Sequence, residues 1–218
     1  MLVSASAELK TANQRIWAEA TTHPFCRELA DGTLPPAKMV AYLVQDYTFI
    51  DAFVRLAASA IAHAPSLADS VPLAQFLAVI TGPENTYFLR SFDALGVKET
   101  QWRDPELWPV TRDFQQTMRD AAQSGSYEKM ITVLIVAEWV YLSWASPVNP
   151  PENGLPFYFS EWITLHAGPD FEGVVAYLRG QLDKLWPTFS PGQQDGVRRA
   201  FEHMVMLEKR FFDAAYAA

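Results

Sequence analysis

The sequence predicts an all-α protein. Apolar residues recur at three- and four-residue spacing nearly throughout, almost nothing alternates as a strand would, and glycine and proline fall between the periodic segments. At 218 residues the chain is long enough for one sizeable core, and no repeat or low-complexity tract asks for a second domain. One helical domain over 1–218 is expected.

The first helix covers about Ala5–Ala20, with Leu9, Ala12, Ile16 and Ala20 along one side. His23-Pro24-Phe25 opens a short helix that Asp31-Gly32 stops. Pro35-Pro36 starts a longer one, about Ala37–Ala62, because proline is tolerated in the first turn. A helical region from about Leu67 to Leu95 should kink or break at Gly82-Pro83. Leu107–Ala122 forms another helix, and the run Ile131–Ala145 (ITVLIVAEWVYLSWA) forms the next. That run is apolar on every side, so it should be the fully buried centre. The proline-rich connection Ser146–Pro156 is long enough to act as a lid or a site wall. Short and long helices follow over about Tyr158–His166 and Asp170–Leu185, separated by Gly168-Pro169, and the last helix runs from about Pro191 to Ala217.

Acids stand where these helices should be apolar. Glu138 lies inside the central run. Asp46 shares a stripe with Leu43, Tyr47, Ile50, Phe53 and Val54, whereas Asp51 lies off it and should be solvated. Glu208 sits in the seam Val197, Phe201, Met204, Phe211 and Ala215. An unpaired buried carboxylate costs several kcal/mol, on the order of the stability margin of a small domain, so each needs a compensating partner. A structural carboxylate bonded to tyrosine or tryptophan is one solution. Convergence is the other: if the three meet, repulsion and desolvation should raise at least one pKa towards neutrality, which suits a general acid. Tyr47, Trp139, Tyr141 and Phe211 stand within a turn of these acids, which predicts a cavity with flat walls and acidic corners suited to a planar, nitrogen-rich ring. The same aromatic residues would also serve as plain core. Glu84, directly after the Gly-Pro break, either favours the start of the next helical segment or joins the site.

Composition narrows the function further. Net charge is -8 and the seventeen Lys and Arg are scattered, so no footprint for nucleic acid is present. Cys26 is the only cysteine, typical of a reducing compartment, and reads as a small buried hydrophobe. The N-terminus MLVSASAELKTANQR has no basic n-region, and the longest apolar run is broken by Glu138, so neither a signal peptide nor a membrane span is expected. A cytoplasmic location follows. A di-iron site would need Glu-x-x-His pairs, and none of His23, His63, His166 or His203 follows a glutamate by three.

The stretches HPFCRELADGTLP, LVQDYTF, TGPENTYFLRSFDALGV, AEWVYLSWAS and MLEKRFF, in order along nearly the whole chain, resemble the TenA (thiaminase II) family, specifically its branch lacking the catalytic cysteine. The resemblance implies a haem-oxygenase-like helical fold without haem or other cofactor, assembled as a tetramer or dimer. It implies hydrolysis of an aminomethyl-aminopyrimidine, or of its N-formyl derivative, to hydroxymethylpyrimidine. By position, Asp46 resembles the pyrimidine-binding aspartate, Tyr141 a site tyrosine, Glu208 the acid-base glutamate and Phe211 the ring-stacking phenylalanine. Ala137 stands where the cysteine would be, and Phe49 and His166 where tyrosines would be. The expected roles are catalysis by Glu208 and Glu138, with Asp46, Tyr47, Phe49, Glu84, Tyr141, His166 and Phe211 around the substrate. A haem-oxygenase-like metal or redox protein and a non-catalytic pyrimidine-binding bundle are the alternatives.

Overall fold

The computed structural model describes residues 4–218; Met1–Val3, the start of the stretch read as lacking a signal peptide, lie outside them. The described residues form helices and loops with no strand. In order they are α1 (Ala5–Ala12), α2 (Gln14–Thr21), α3 (Pro24–Ala30), α4 (Pro36–Tyr47), α5 (Phe49–His63), α6 (Leu67–Val79), α7 (Asn85–Ala94), α8 (Glu99–Trp102), α9 (Pro109–Gln123), α10 (Tyr127–Ala145), α11 (Phe157–Leu165), α12 (Pro169–Leu185) and α13 (Pro191–Ala217).

The all-apolar run forms all but the first turn of α10, which begins directly behind Ser124-Gly125-Ser126. It packs against α13, α12, α5, α9 and α2, so neighbours cover it on all sides. This is the one stretch of the described residues, Tyr127–Val148, long and apolar enough to cross a membrane, and 72% of its most apolar window is buried inside the fold.

Two helices expected to be continuous are broken, and a third helical region is irregular where an interruption is expected. The first breaks at Asn13, whose side-chain amide donates to the Leu9 carbonyl at 2.9 Å and ends α1. The helix expected over Ala37–Ala62 divides at Thr48. There the Thr48 hydroxyl donates to the Gln45 carbonyl at 2.6 Å, and the Thr48 carbonyl accepts from Gln115 Nε2 at 2.9 Å. That side chain of α9 occupies a carbonyl at the junction and ties the bend to the next helix. The third irregularity falls at Gly82-Pro83, where a kink or break is expected. Ile80–Glu84 widen into a π-helical turn that joins α6 to α7, and such turns recur at functional sites.

Two anchors set the surroundings of the site. Gln45, buried on α4, donates to the Glu106 carbonyl at 2.9 Å and accepts from the Trp108 amide at 3.0 Å and the Thr111 hydroxyl at 2.7 Å. Three of its four hydrogen-bonding positions are filled, which fixes the loop that carries Trp108. The Ser146–Pro156 connection lies against the turn after α3: a Cβ at Gly32, whose φ is 70°, would meet Leu155 at 2.5 Å. It contributes no residue to the cavity described next, so it is not the lid or wall that its length suggests.

Candidate active site

Asp46, Glu84, Glu138 and Glu208 all line one cavity of about 70 Å³, inside the bundle. By general measures that is room for several waters or a small single-ring ligand. Each acid arrives on a different element. Asp46 comes from the last turn of α4 just before the Thr48 break, Glu84 from the π-turn, Glu138 from the middle of α10 and Glu208 from the inward seam of α13. Glu138 is 8% exposed and Glu208 2%. Asp46 and Glu84 keep partial exposure where they face the cavity.

Among the described residues none of the four is ion-paired, and no lysine or arginine lines the cavity. Desolvation therefore dominates their titration. It pushes Asp46 well above the usual carboxylate range, reinforced by the charge of Glu84 and opposed by a hydrogen bond from Tyr42. Glu138 is raised by burial, then by Glu84 and Asp46, and Glu208 by burial, then by Asp46 and Glu138. Burial alone lifts Glu84 to about 7. Burial and mutual repulsion thus favour the protonated forms in this chamber, since each charge added to a group of four close carboxylates opposes the next.

This arrangement has a consequence for stability. With Glu84 at about 7 folded against 4.5 unfolded, the native state binds more protons between those values, so its contribution to stability is full below pH 4.5 and falls as pH rises to about 7. Glu84→Gln is expected to flatten that fall and to raise the denaturation midpoint above pH 7. Urea titrations of both proteins at several pH values check this; an unchanged slope would overturn the assignment.

Aromatic rings form the walls. Phe211 lies 4.9 Å from Phe49, 5.5 Å from Tyr42 and 5.7 Å from Trp108 between ring centroids. Tyr141 donates to or accepts from Tyr42 across 2.7 Å between hydroxyls. His166 packs at 4.2 Å from Trp162 and 4.7 Å from Tyr141. Its Nδ1 lies 2.9 Å from the Trp162 carbonyl, which can only accept, so Nδ1 carries a proton. Burial lowers its pKa to about 4, so at neutral pH the ring is uncharged and Nε2 is an acceptor. The buried Trp162 indole N–H has no protein partner.

Of the residues expected around a substrate, Asp46, Phe49, Glu84, Glu138, Tyr141, His166, Glu208 and Phe211 line the cavity. Tyr47 does not. It turns to the other side of α4, donates to Asn85 Oδ1 at 3.0 Å and packs against Phe88, Phe92 and Trp102. Asp51 is exposed and paired with Arg55, as its position off the stripe suggests. Reading by sequence did not single out Phe53, Phe76, Ile80, Phe114, Met118 or Trp162 as lining residues. Nothing in their spacing separates a cavity wall from core. Ala137 does line the cavity, whereas Cys26 is buried outside it with its thiol pushed up by burial. His166 is the only histidine of the cavity wall, and no group of three or more His, Cys, Asp or Glu among the described residues is arranged to hold a metal ion.

Comparison with known proteins places this chamber in context. The model of the TENA/THI-4/PQQC family matches residues 11–218. The aminopyrimidine aminohydrolase of Halalkalibacterium halodurans is 26% identical over 98% of this chain and 96% of its own length. That of Helicobacter pylori is 24% identical over 93% and 94%. Among solved structures, a TenA homologue from Pyrococcus furiosus superposes with a TM-score of 0.86 at 22% identity, covering 96% of this chain and 98% of that one. A TenA homologue from Pyrococcus horikoshii gives 0.84 at 20% identity, covering 99% of each. These likenesses establish the helical fold.

Proposed function

Because the chain belongs to the TENA/THI-4/PQQC family, we propose that it hydrolyses thiamin-derived aminopyrimidines, converting the aminomethyl compound or its N-formyl derivative to hydroxymethylpyrimidine. The observation that carries this reading is the convergence of four carboxylates, without a lysine or arginine, in one small ring-walled cavity. An aminopyrimidine edge offers an exocyclic N–H beside a ring nitrogen acceptor. A carboxyl group that keeps its proton offers the complementary acceptor and donor, and the raised pKa of Asp46 and Glu208 supports that state.

For the free amine, water replaces ammonia at the exocyclic methylene. The C–N bond breaks with its electron pair going to nitrogen, the C–O bond forms, and the proton released by water must be taken up. Glu208 supplies a proton to the ring or the leaving nitrogen, Glu138 accepts the proton of water, and Asp46 grips the ring edge. Phe211, Phe49 and Tyr141 hold the ring, while His166 offers an uncharged acceptor.

The reaction proceeds in this reading without a cysteine. Ala137 supplies no nucleophile, and the Cys26 thiol, buried outside the wall, stays protonated. Cys26→Ala is expected to keep kcat/KM within about twofold while losing about 1 kcal/mol of stability; an inactive but folded variant would restore a thiol mechanism. The direct test of the function is incubation with both pyrimidines, following hydroxymethylpyrimidine. Binding without product would favour a non-catalytic pyrimidine-binding bundle. Metal-dependent redox turnover would favour the haem-oxygenase-like alternative. The cytoplasmic location and the tetramer or dimer belong to the same proposal, the second being open to light scattering.

A further inference from the structure

We propose that the indole N–H of Trp162 and Nε2 of His166 form a donor–acceptor pair in the cavity wall that holds the attacking water and, after reaction, the hydroxyl of the product. The inference rests on the aminopyrimidine reading and gives the oxygen of that reaction its place. Trp162 is 1% exposed and lines the cavity, yet its N–H has no protein acceptor among the described residues. A buried donor left in this state costs stability unless a ligand or a water accepts from it. The Trp144 N–H is unpartnered as well, but Trp144 does not line the cavity.

His166 stands one turn beyond Trp162 at the end of α11, with 4.2 Å between the ring centroids. Its Nδ1 is committed to the Trp162 carbonyl at 2.9 Å, which leaves Nε2 as the acceptor of the ring. An atom that accepts from Trp162 and donates to His166 at once is a water or hydroxyl oxygen. An ammonium has no lone pair for the indole, and a carbonyl oxygen has no proton for the imidazole. Tyr141 ties the pair to α10, its ring lying 4.7 Å from His166 and 6.2 Å from Trp162. It follows Glu138 by three residues on the same face of that helix, so the carboxylate that takes the proton of water in this reading arrives one turn from the pair.

All four bonding positions of the water are then assigned. One lone pair accepts from Trp162 and the other forms the C–O bond, while one proton is donated to His166 Nε2 and the other passes to Glu138. The C–N bond breaks with its electron pair going to nitrogen. Once the departing ammonia takes up the proton from Glu138, R–CH2–NH3+ plus water has given R–CH2–OH plus NH4+.

The test compares hydroxymethylpyrimidine with the analogue that carries a methyl group in place of the hydroxymethyl, by calorimetric binding to the intact protein. The hydroxymethyl compound is expected to bind at least about tenfold more tightly, and Trp162→Phe to reduce that preference to within about threefold. The same variant is expected to lower kcat for the amine at least about tenfold with KM within about threefold, since the lost contact is to water and not to the pyrimidine. In the parent protein one indole N–H proton resonance should move to lower field with the hydroxymethyl compound and not with the methyl one. Trp162 is the only tryptophan of the cavity wall, so this signal decides the matter even if the variant does not fold. Equal binding of the two compounds by the parent protein, or a preference without that shift, would overturn the inference while hydrolysis stands. Preference and shift without turnover would sustain the oxygen site and remove the hydrolase reading; failure of both compounds to bind would overturn the two together.

Discussion

Glutamine in place of Glu208 is expected to lower kcat/KM for aminopyrimidine hydrolysis by about 10²–10⁴-fold, the usual contribution of a positioned acid or base. Glu208 is 2% exposed on the inward seam of α13, and its carboxyl is raised by burial and by the neighbouring Asp46 and Glu138. Its protonated form, the one a general acid needs, is therefore favoured. Glutamine preserves shape and hydrogen-bonding reach but cannot give up or take a proton on the time scale of turnover. It also removes a buried group whose ionisation burial and its neighbours oppose, so the variant should melt no lower than the parent. Glu138→Gln should also lower kcat/KM without loss of stability, because Glu138 lines the same cavity and is raised by burial in the same way. Steady-state kinetics beside thermal melts check both. Parental activity in either folded variant would refute the role given to that residue.

Truncating Phe211 to alanine is expected to have the largest effect on stability, about 3–5 kcal/mol. Its ring is 1% exposed and touches α4, α5 and the Trp108 loop, so its loss opens space that three elements cannot close together. For a chain of this size that corresponds to a fall in Tm of roughly 10 °C. Phe211→Leu keeps most of the volume but not the flat ring, and should cost about 1 kcal/mol. In the leucine variant KM should rise more than kcat falls, since the ring is proposed to stack on the substrate and not to move protons. A leucine variant with unchanged KM would show that Phe211 is core alone.

The positions of Asp46, Glu138 and Glu208 were legible because each interrupts an apolar stripe whose period fixes its direction. Their convergence was not legible, since it depends on how α4, α10 and α13 cross. Glu84 was ambiguous for a local reason: after Gly82-Pro83 a regular helix, a kink and a widened turn point its side chain in different directions, and the packed structure adopts the widened turn. Tyr47 illustrates the opposite error. It follows Asp46 directly, and the turn of about 100° between consecutive helical residues carries its ring towards Asn85, Phe88, Phe92 and Trp102 instead of into the cavity.

From the sequence alone came the helical class, the buried centre at α10 and the acids that need a partner, because periodicity and burial are properties of one segment at a time. The break at Thr48, the inert place of the Ser146–Pro156 loop and the enclosure of four acids by rings from separate helices were decided only by tertiary packing. These depend on contacts between residues far apart in the chain, such as Gln115 on the Thr48 carbonyl and Leu155 against Gly32. No local pattern encodes which distant side chain will satisfy a given backbone group or cover a given glycine.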